Sequence, residues 1–307
     1  MKLDKDRQIS VSFSSLSTFM DCRMKYYWTN IKRYEPIVFA PQFVTGNCVH
    51  FGIYQLYDKN PKAVRDTLRI FDNEKQKLRD KLSLSPAEEQ ELNQQEYMIR
   101  GMIEGYGNKY GNFIKKVRHI NNELKLKYKI DKRTSLTIKM DNVILLKNTP
   151  HVHELKTTKT LTPDYVKNIK NDTQTAIYFH GHNRLVPKSE RLRGIVYDVI
   201  RKPSIRKKKK EDKRQFLKRL ADYYSSNSEN ENFYMEVIER PLISDERIFN
   251  TIEHIVDDIR NCTREDDFYA NDRHCYVYKR CHFYDICHHG ENASTRAKFR
   301  IREKQGE

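Results

Sequence analysis

The chain has 307 residues, and its 58 Lys and Arg against 42 Asp and Glu give a formal charge of +16. That surplus suits a polyanionic partner, nucleic acid before membrane, and no apolar run approaches the ~18 residues that argue for a bilayer span. The start, MKLDKDRQIS, lacks the apolar core of a secretion signal, so a cytoplasmic, intracellular protein is expected, and its 6 cysteines are ligands, buried apolar groups or reactive thiols before they are disulfides.

In chain order, the stretch VSFSSLSTFMDCRMKYYW (residues 11–28) mixes serines with aromatics. Ser14 or Ser15 would cap a short helix that carries Leu16, Phe19, Met20 and Cys22 inward. In GNCVHFGIYQLY, residues 46–57, His50, Ile53, Tyr54 and Tyr57 recur at helical spacing, which puts His50 on or beside the apolar stripe. A lone histidine there is more often a packed core residue than a ligand. Ser85-Pro86-Ala87-Glu88 supplies an N-cap, an N1 proline and an N3 acid, opening a long helix to about residue 110.

Three apolar segments follow, 123–130, 136–146 and 152–158, expected as consecutive antiparallel strands. Thr162-Pro163-Asp164 starts a helix expected to run to about residue 185, on which Gln174 and Tyr178 stand four apart and share a face. A β-rich segment spans 193–201. The densest basic tract, 201–219, contains Lys207, Lys208, Lys209 and Lys210 and is expected as a solvated loop able to hold phosphates without sequence preference. One more strand at 232–240 and a helix capped by Ser244, with Ile248, Ile252, Ile255, Val256 and Ile259 inward, precede a cysteine-rich segment.

The pivotal stretch is residues 140–159, MDNVILLKNTPHVHELKTTK. Side chains two apart on a strand share a face, so Glu154 and Lys156 stand side by side. If a tight turn centres on Lys147 and Asn148, residue 146 faces 149, 144 faces 151, and Asp141 faces Glu154. Directly opposed residues have Cβ atoms roughly 4.5–5.5 Å apart, close enough for two carboxylates to share a divalent cation. Such a pair is unfavourable without a compensating cation. An ordinary exposed hairpin with mixed charges is the alternative for an isolated pattern of this kind.

Cys275, Cys281 and Cys287 are separated by five residues each, leaving a metal site one ligand short. Zinc would take His274, His282 or His288 as the fourth ligand, although the tight cysteine pair usual at zinc sites is missing. An iron–sulfur cluster needs a fourth thiolate, for which Cys22 is the candidate.

Taken together, SFSSLSTFMDCRMKYYW, GNCVH, KMDNV, HELKTTK, DTQTAIY and the final cysteines resemble the RecB-like branch of the PD-(D/E)XK nucleases. That branch includes the iron–sulfur exonucleases similar to AddB, exonuclease V and the CRISPR-associated RecB-like nucleases. The resemblance covers nearly the whole chain and departs in two places. Tyr278 stands where the family often has a cysteine, and Lys139 where it frequently has glycine.

It implies one RecB-like nuclease domain over 1–307, an α/β fold whose PD-(D/E)XK core is a mixed sheet in the order α-βββ-α-β. Within it, 10–60 carries the first cluster cysteine and the histidine, 120–201 the nuclease core, 202–231 a basic insertion and 232–295 the last strand, helix and cysteines. His50, Asp141, Glu154 and the carbonyl of Leu155 would hold Mg2+ or Mn2+, with Lys156 beside the scissile phosphate and Glu123 as an outer carboxylate. Gln174 and Tyr178 would position DNA. Cys22, Cys275, Cys281 and Cys287 would hold a [4Fe-4S] cluster that joins the terminal segments.

The implied activity is a single-strand DNA exonuclease in replication, recombination or repair. The alternative from another class is a non-catalytic DNA-binding subunit of a helicase–nuclease or recombination complex. No P-loop of the GxxxxGK[ST] type is present, so unwinding would need a partner.

Overall fold

The computed structural model describes residues 8–202, 205–225, 231–277 and 279–303, without the side chains of 121–123 and 225. The Glu123 side chain and Tyr278 thus lie outside the described residues. In chain order the elements are β1 (Ile9–Ser12), α1 (Phe13–Asp21), α2 (Arg23–Tyr26) with a π-helical turn over Tyr27–Ile31, β2 (Tyr34–Pro36), α3 (Pro41–Tyr57), α4 (Ala63–Lys81), α5 (Pro86–Lys116), β3 (Val117–Lys129), β4 (Thr134–Leu146) and β5 (Thr149–Thr158). Then come α6 (Pro163–Asn168), α7 (Thr173–Leu185), β6 (Gly194–Arg201), α8 (Lys213–Ser225), β7 (Phe233–Ile238), α9 (Asp245–Glu265), α10 (Tyr284–His289), α11 (Ala293–Arg296) and β8 (Phe299–Ile301).

The chain divides into two compact units. Unit 1 comprises Met1–Val38, Lys125–Lys139 and Ile243–Glu307, and unit 2 comprises Phe39–Leu124 and Met140–Leu242. The chain belongs to the α/β class, with a mixed sheet and flanking helices.

In unit 2 the end of β4 pairs antiparallel with β5, β5 runs parallel to β6, and β6 pairs antiparallel with β7. Seven of the eight residues of β6, GIVYDVIR, are buried, the pattern of a strand covered on both faces. Ile144, Leu155, Val196 and Ile200 from the strands meet Ile53 and Tyr57 of α3, Phe71 of α4, and Ile99, Met102, Ile103 and Tyr106 of α5 in one core. Gly101 and Gly105, four apart on α5, let α8 approach: a Cβ on Gly105 would lie 2.4 Å from the Tyr224 carbonyl oxygen, and one on Gly101 2.8 Å from that of Ala221. The capping box at Ser85 forms as expected, its hydroxyl accepting from the Glu88 N–H.

Unit 1 holds β1 parallel to the start of β4, and β2 antiparallel to β8. Trp28, Tyr34, Phe299 and Phe283 stack in sequence, with centroids 5.8, 5.7 and 5.0 Å apart and rings within 15° of parallel. This pile forms the floor against which Cys281 and Cys287 pack.

Several local expectations change. Ser12, not Ser14 or Ser15, caps α1, because Ser15 sits at N3 and closes a reciprocal capping box. Met20 is half exposed, whereas Leu16 and Phe19 are buried as expected. The helix expected over 162–185 is two helices, because Asp172 accepts from the Thr175 N–H at 2.7 Å and starts α7 afresh. Part of the basic tract is α8, whose Phe216, Leu217, Leu220 and Tyr224 are buried while the charges face outward.

Candidate active site

The turn between β4 and β5 has Lys147 and Asn148 both in the left-handed region, φ 51° and 61°, the pair a two-residue type I′ hairpin requires. Leu146 pairs with Thr149, Ile144 with His151 and Asn142 with His153, which is the register that the turn position predicts. Pro150 pairs with Leu145 and leaves the turn in place. One residue beyond the last of these pairs, Asp141 and Glu154 come to the same end of the hairpin.

Helix α3 brings His50 to this end, with Nδ1 3.3 Å from Asp141 Oδ2. Lys156 lies two residues beyond Glu154 on β5, and its ammonium is in contact with the Glu154 carboxylate. The same ammonium donates to Gln174 Oε1 at 2.5 Å, and Gln174 Nε2 donates to the Tyr178 hydroxyl at 2.6 Å. His50, Asp141, Glu154, Lys156, Gln174 and Tyr178 are therefore brought together within unit 2. Leu155 stands between the acid and the lysine with its side chain fully buried. Lys207, Lys208, Lys209 and Lys210 are exposed, and their contacts here are local: Lys207 donates to the Glu211 carbonyl at 2.5 Å, and the Lys208 N–H to the Glu211 carboxylate.

Glu154 is fully buried, and among the described residues the one donor that meets its carboxylate is the Lys156 ammonium, at Oε1, which leaves Oε2 unpartnered. Burial pushes its pKa up to about 7; the nearby Lys156 opposes this and the charge of Asp141 adds to it. Asp141 goes the other way. Burial would raise it, but the hydrogen bond and charge of His50, with Lys156 and His153, hold it below the usual carboxylate range. Burial works against the Lys156 ammonium, and the Glu154 carboxylate more than compensates, so its pKa is raised.

A buried carboxylate with one oxygen unpartnered and a second acid nearby is costly, and a bound cation offsets that cost. Two carboxylates with an imidazole form an oxygen-rich set that fits a divalent ion such as Mg2+ or Mn2+.

Two further groups have no counterpart in the sequence reading. Asp172, the N-cap of α7, adds its charge to the surroundings of both Glu154 and Lys156, and accepts from the Tyr197 hydroxyl at 3.3 Å. Nothing local in the sequence marks its proximity to the hairpin. Beside the site, Asp198 Oδ2 lies 2.5 Å from His153 Nε2 and accepts from the Tyr106 hydroxyl at 2.5 Å. The Tyr106 and Tyr57 hydroxyls are 3.0 Å apart, and Asn142 Nδ2 is 3.4 Å from His153 Nδ1. This network ties α3, α5, β4, β5 and β6 together around the strand that carries Glu154.

The cysteine segment lies in unit 1. The Asn271 N–H donates to Cys22 Sγ and the Trp28 indole to Cys287 Sγ, each at 3.3 Å. Burial pushes the Cys287 thiol up to about 11; the Trp28 bond opposes this, while the charges of Cys281, Cys22 and Cys275 add to it, so those three sulfurs lie near enough to act on Cys287. Asp272, Cys275 and His288 also present ligand atoms within 4.8 Å of one another.

A family model described as the PD-(D/E)XK nuclease superfamily matches residues 10–288. The chain belongs to the PD-(D/E)XK nuclease superfamily, whose members are generally phosphodiester hydrolases that use divalent metals such as Mg2+ or Mn2+. No curated protein matches it. Among the described residues, no helix is long and apolar enough to cross a membrane.

Proposed function

We propose that this protein is a metal-dependent deoxyribonuclease of the RecB-like iron–sulfur branch, an intracellular exonuclease that hydrolyses single-stranded DNA ends in replication, recombination or repair. The observation that carries the proposal is the Glu154 carboxylate, fully buried with Lys156 as its one donor among the described residues, at one end of a hairpin with Asp141.

His50, Asp141, Glu154 and the Leu155 carbonyl would hold Mg2+ or Mn2+. Bound there, the ion stabilises charge on phosphate oxygens and acidifies a water. Glu154 holds the Lys156 ammonium protonated, and Gln174 fixes where its protons point, so Lys156 is a cation aimed at a phosphate oxygen or the attacking water. Tyr178 in turn fixes the Gln174 amide, and both border the DNA strand. Lys207, Lys208, Lys209 and Lys210 add sequence-independent attraction for phosphates. The chain lacks a P-loop, so a helicase or recombination partner supplies any unwinding.

Asp141→Ala and Lys156→Ala are each expected to lower cleavage of end-labelled single strands by about a hundredfold or more, at unchanged folding. Undiminished cleavage by both would remove this site from the account. The same end-labelled assay gives strand polarity.

Cys22, Cys275, Cys281 and Cys287 would hold a [4Fe-4S] cluster; the two N–H···S bonds and the nearness of the other three sulfurs to Cys287 support that use. A zinc ion is the second reading, favoured by the approach of Asp272 and His288 to Cys275. Anaerobic purification separates them: brown protein with bound iron supports the cluster, and colourless protein with stoichiometric zinc supports the alternative.

A further inference from the structure

A cavity of about 380 Å3 is lined wholly by residues of unit 1, and none of the residues assigned to hydrolysis or to the cysteine site is among them. Five arginines line it: Arg33, Arg133, Arg260, Arg264 and Arg302. No acidic residue is among the described residues that line it, while Ile9, Ile31 and Ile259 give it apolar wall. The arginines converge from four separate places in the chain: the turn after the π-helical segment, the loop before β4, one face of α9, and the residue after β8.

Their partners divide them. Arg260 is neutralised by Asp131 and Asp257, and Arg264 contacts Glu265. Arg302 donates to the Thr29 carbonyl at 3.2 Å and, among the described residues, meets no carboxylate. Arg33 likewise has no ion pair among the described residues. Its backbone is left-handed, φ 58°, a conformation that L side chains rarely adopt, and the Arg302 N–H donates to its carbonyl at 2.8 Å. The backbone bond thus ties together two residues whose guanidinium groups have no carboxylate partner among the described residues. Residues held in this region cluster at ligand-binding places.

Planar guanidinium forks match phosphate oxygens two at a time, which lysine cannot reproduce. The cavity is larger than a bare phosphate needs and falls within the roughly 300–1,000 Å3 range of small-molecule sites. Arginines beside an apolar wall suit a sugar or base carried on the same phosphate.

We propose that this cavity binds the phosphate of a nucleotide unit, with Arg33 and Arg302 as the anchoring pair. The chemistry is common to two sources, the 5′-phosphorylated end of a DNA strand and a free nucleoside monophosphate. The inference stands on the arginines alone and does not depend on the hydrolytic centre.

The test is equilibrium binding to the full chain, purified with its cysteine site loaded and with no Mg2+ or Mn2+ added, so that an inactive hydrolytic centre leaves the result unchanged. Probes are a 5′-phosphorylated single strand, the same strand with a 5′-hydroxyl, and adenosine monophosphate. The double variant Arg33→Ala/Arg302→Ala is expected to weaken at least one phosphorylated probe by about tenfold or more, the loss of one charge-assisted hydrogen bond or more, and to spare the hydroxyl strand. Weakening of the phosphorylated strand alone identifies a strand end, and weakening of the monophosphate identifies a free nucleotide. Unchanged binding, equal weakening of both strands without a monophosphate effect, or no binding of either phosphorylated probe by the natural protein would overturn the proposal. If the alanine variant melts early, Arg33→Lys/Arg302→Lys keeps the charge and removes the forks. It is then expected to show the same probe selectivity at smaller size, and its equality with the natural protein would equally overturn the proposal.

Discussion

Glu154 titrates close to neutrality because its carboxylate is taken out of water beside another acid, and only Lys156 opposes that cost. Its folded pKa of about 7 lies above the ordinary 4.5, so the folded, metal-free protein keeps a proton that the unfolded chain releases. Metal-free stability therefore falls as pH rises from the ordinary carboxylate range through about 7, and a cation that displaces the proton restores it. Metal affinity is expected to weaken by about tenfold per unit as pH drops below about 7, measured by Mn2+ titration calorimetry. Glu154→Gln should flatten that profile and raise the metal-free melting temperature at pH 8, by about 2–4 °C for each kcal/mol recovered. Asp198→Ala leaves His153 and Tyr106 without their shared acceptor in the core, and is expected to cost about 3–5 kcal/mol in chemical denaturation. Asp141, Glu154 and Lys156 were legible because hairpin arithmetic alone brings them together. The His153–Asp198–Tyr106 network was not, since its members are 45 and 92 residues apart and strand alternation names no partner for a buried histidine.

At the level of elements, the β4–β5 turn sets which side chains share a face. A side-chain period of two means that one residue inserted between Lys147 and Asn148 turns Asp141 away from Glu154. Such an insertion is expected to abolish cleavage, while Asn148→Gly, which suits a left-handed position, leaves it intact. Gly105→Ala places a methyl group against the backbone of α8 and should cost about 1–3 kcal/mol, read from thermal unfolding. The strands, α5 and α9 were legible from alternation and capping signals. Helix α8 was obscured because its four buried residues sit among lysines and arginines, so local charge density outweighed the helical period of Phe216, Leu217, Leu220 and Tyr224. The break between α6 and α7 was hidden for a different reason: Asp172 lies inside an uninterrupted polar–apolar pattern and acts through a cap.

For the whole molecule, the divided make-up of the two units matters most. Cys22 belongs to the first segment of unit 1, and Cys275, Cys281 and Cys287 to its last. With the proposed cysteine-bound cofactor, Cys22→Ser is expected to abolish the visible colour or bound zinc and to lower the melting temperature, because binding would then be folding free energy for the segments it joins. Growing from its amino end, the chain has had every residue of unit 2 synthesised once Leu242 is made, whereas unit 1 still lacks Ile243–Glu307. Domains generally fold in the order of synthesis. The β4–β5 hairpin can therefore mature while the first cysteine waits for its companions, and under the proposed function a nascent chain would carry its hydrolytic centre before a cysteine-bound cofactor could be loaded. Iron or zinc starvation should then trap a late species with unit 2 folded and unit 1 open, distinguishable by protease mapping.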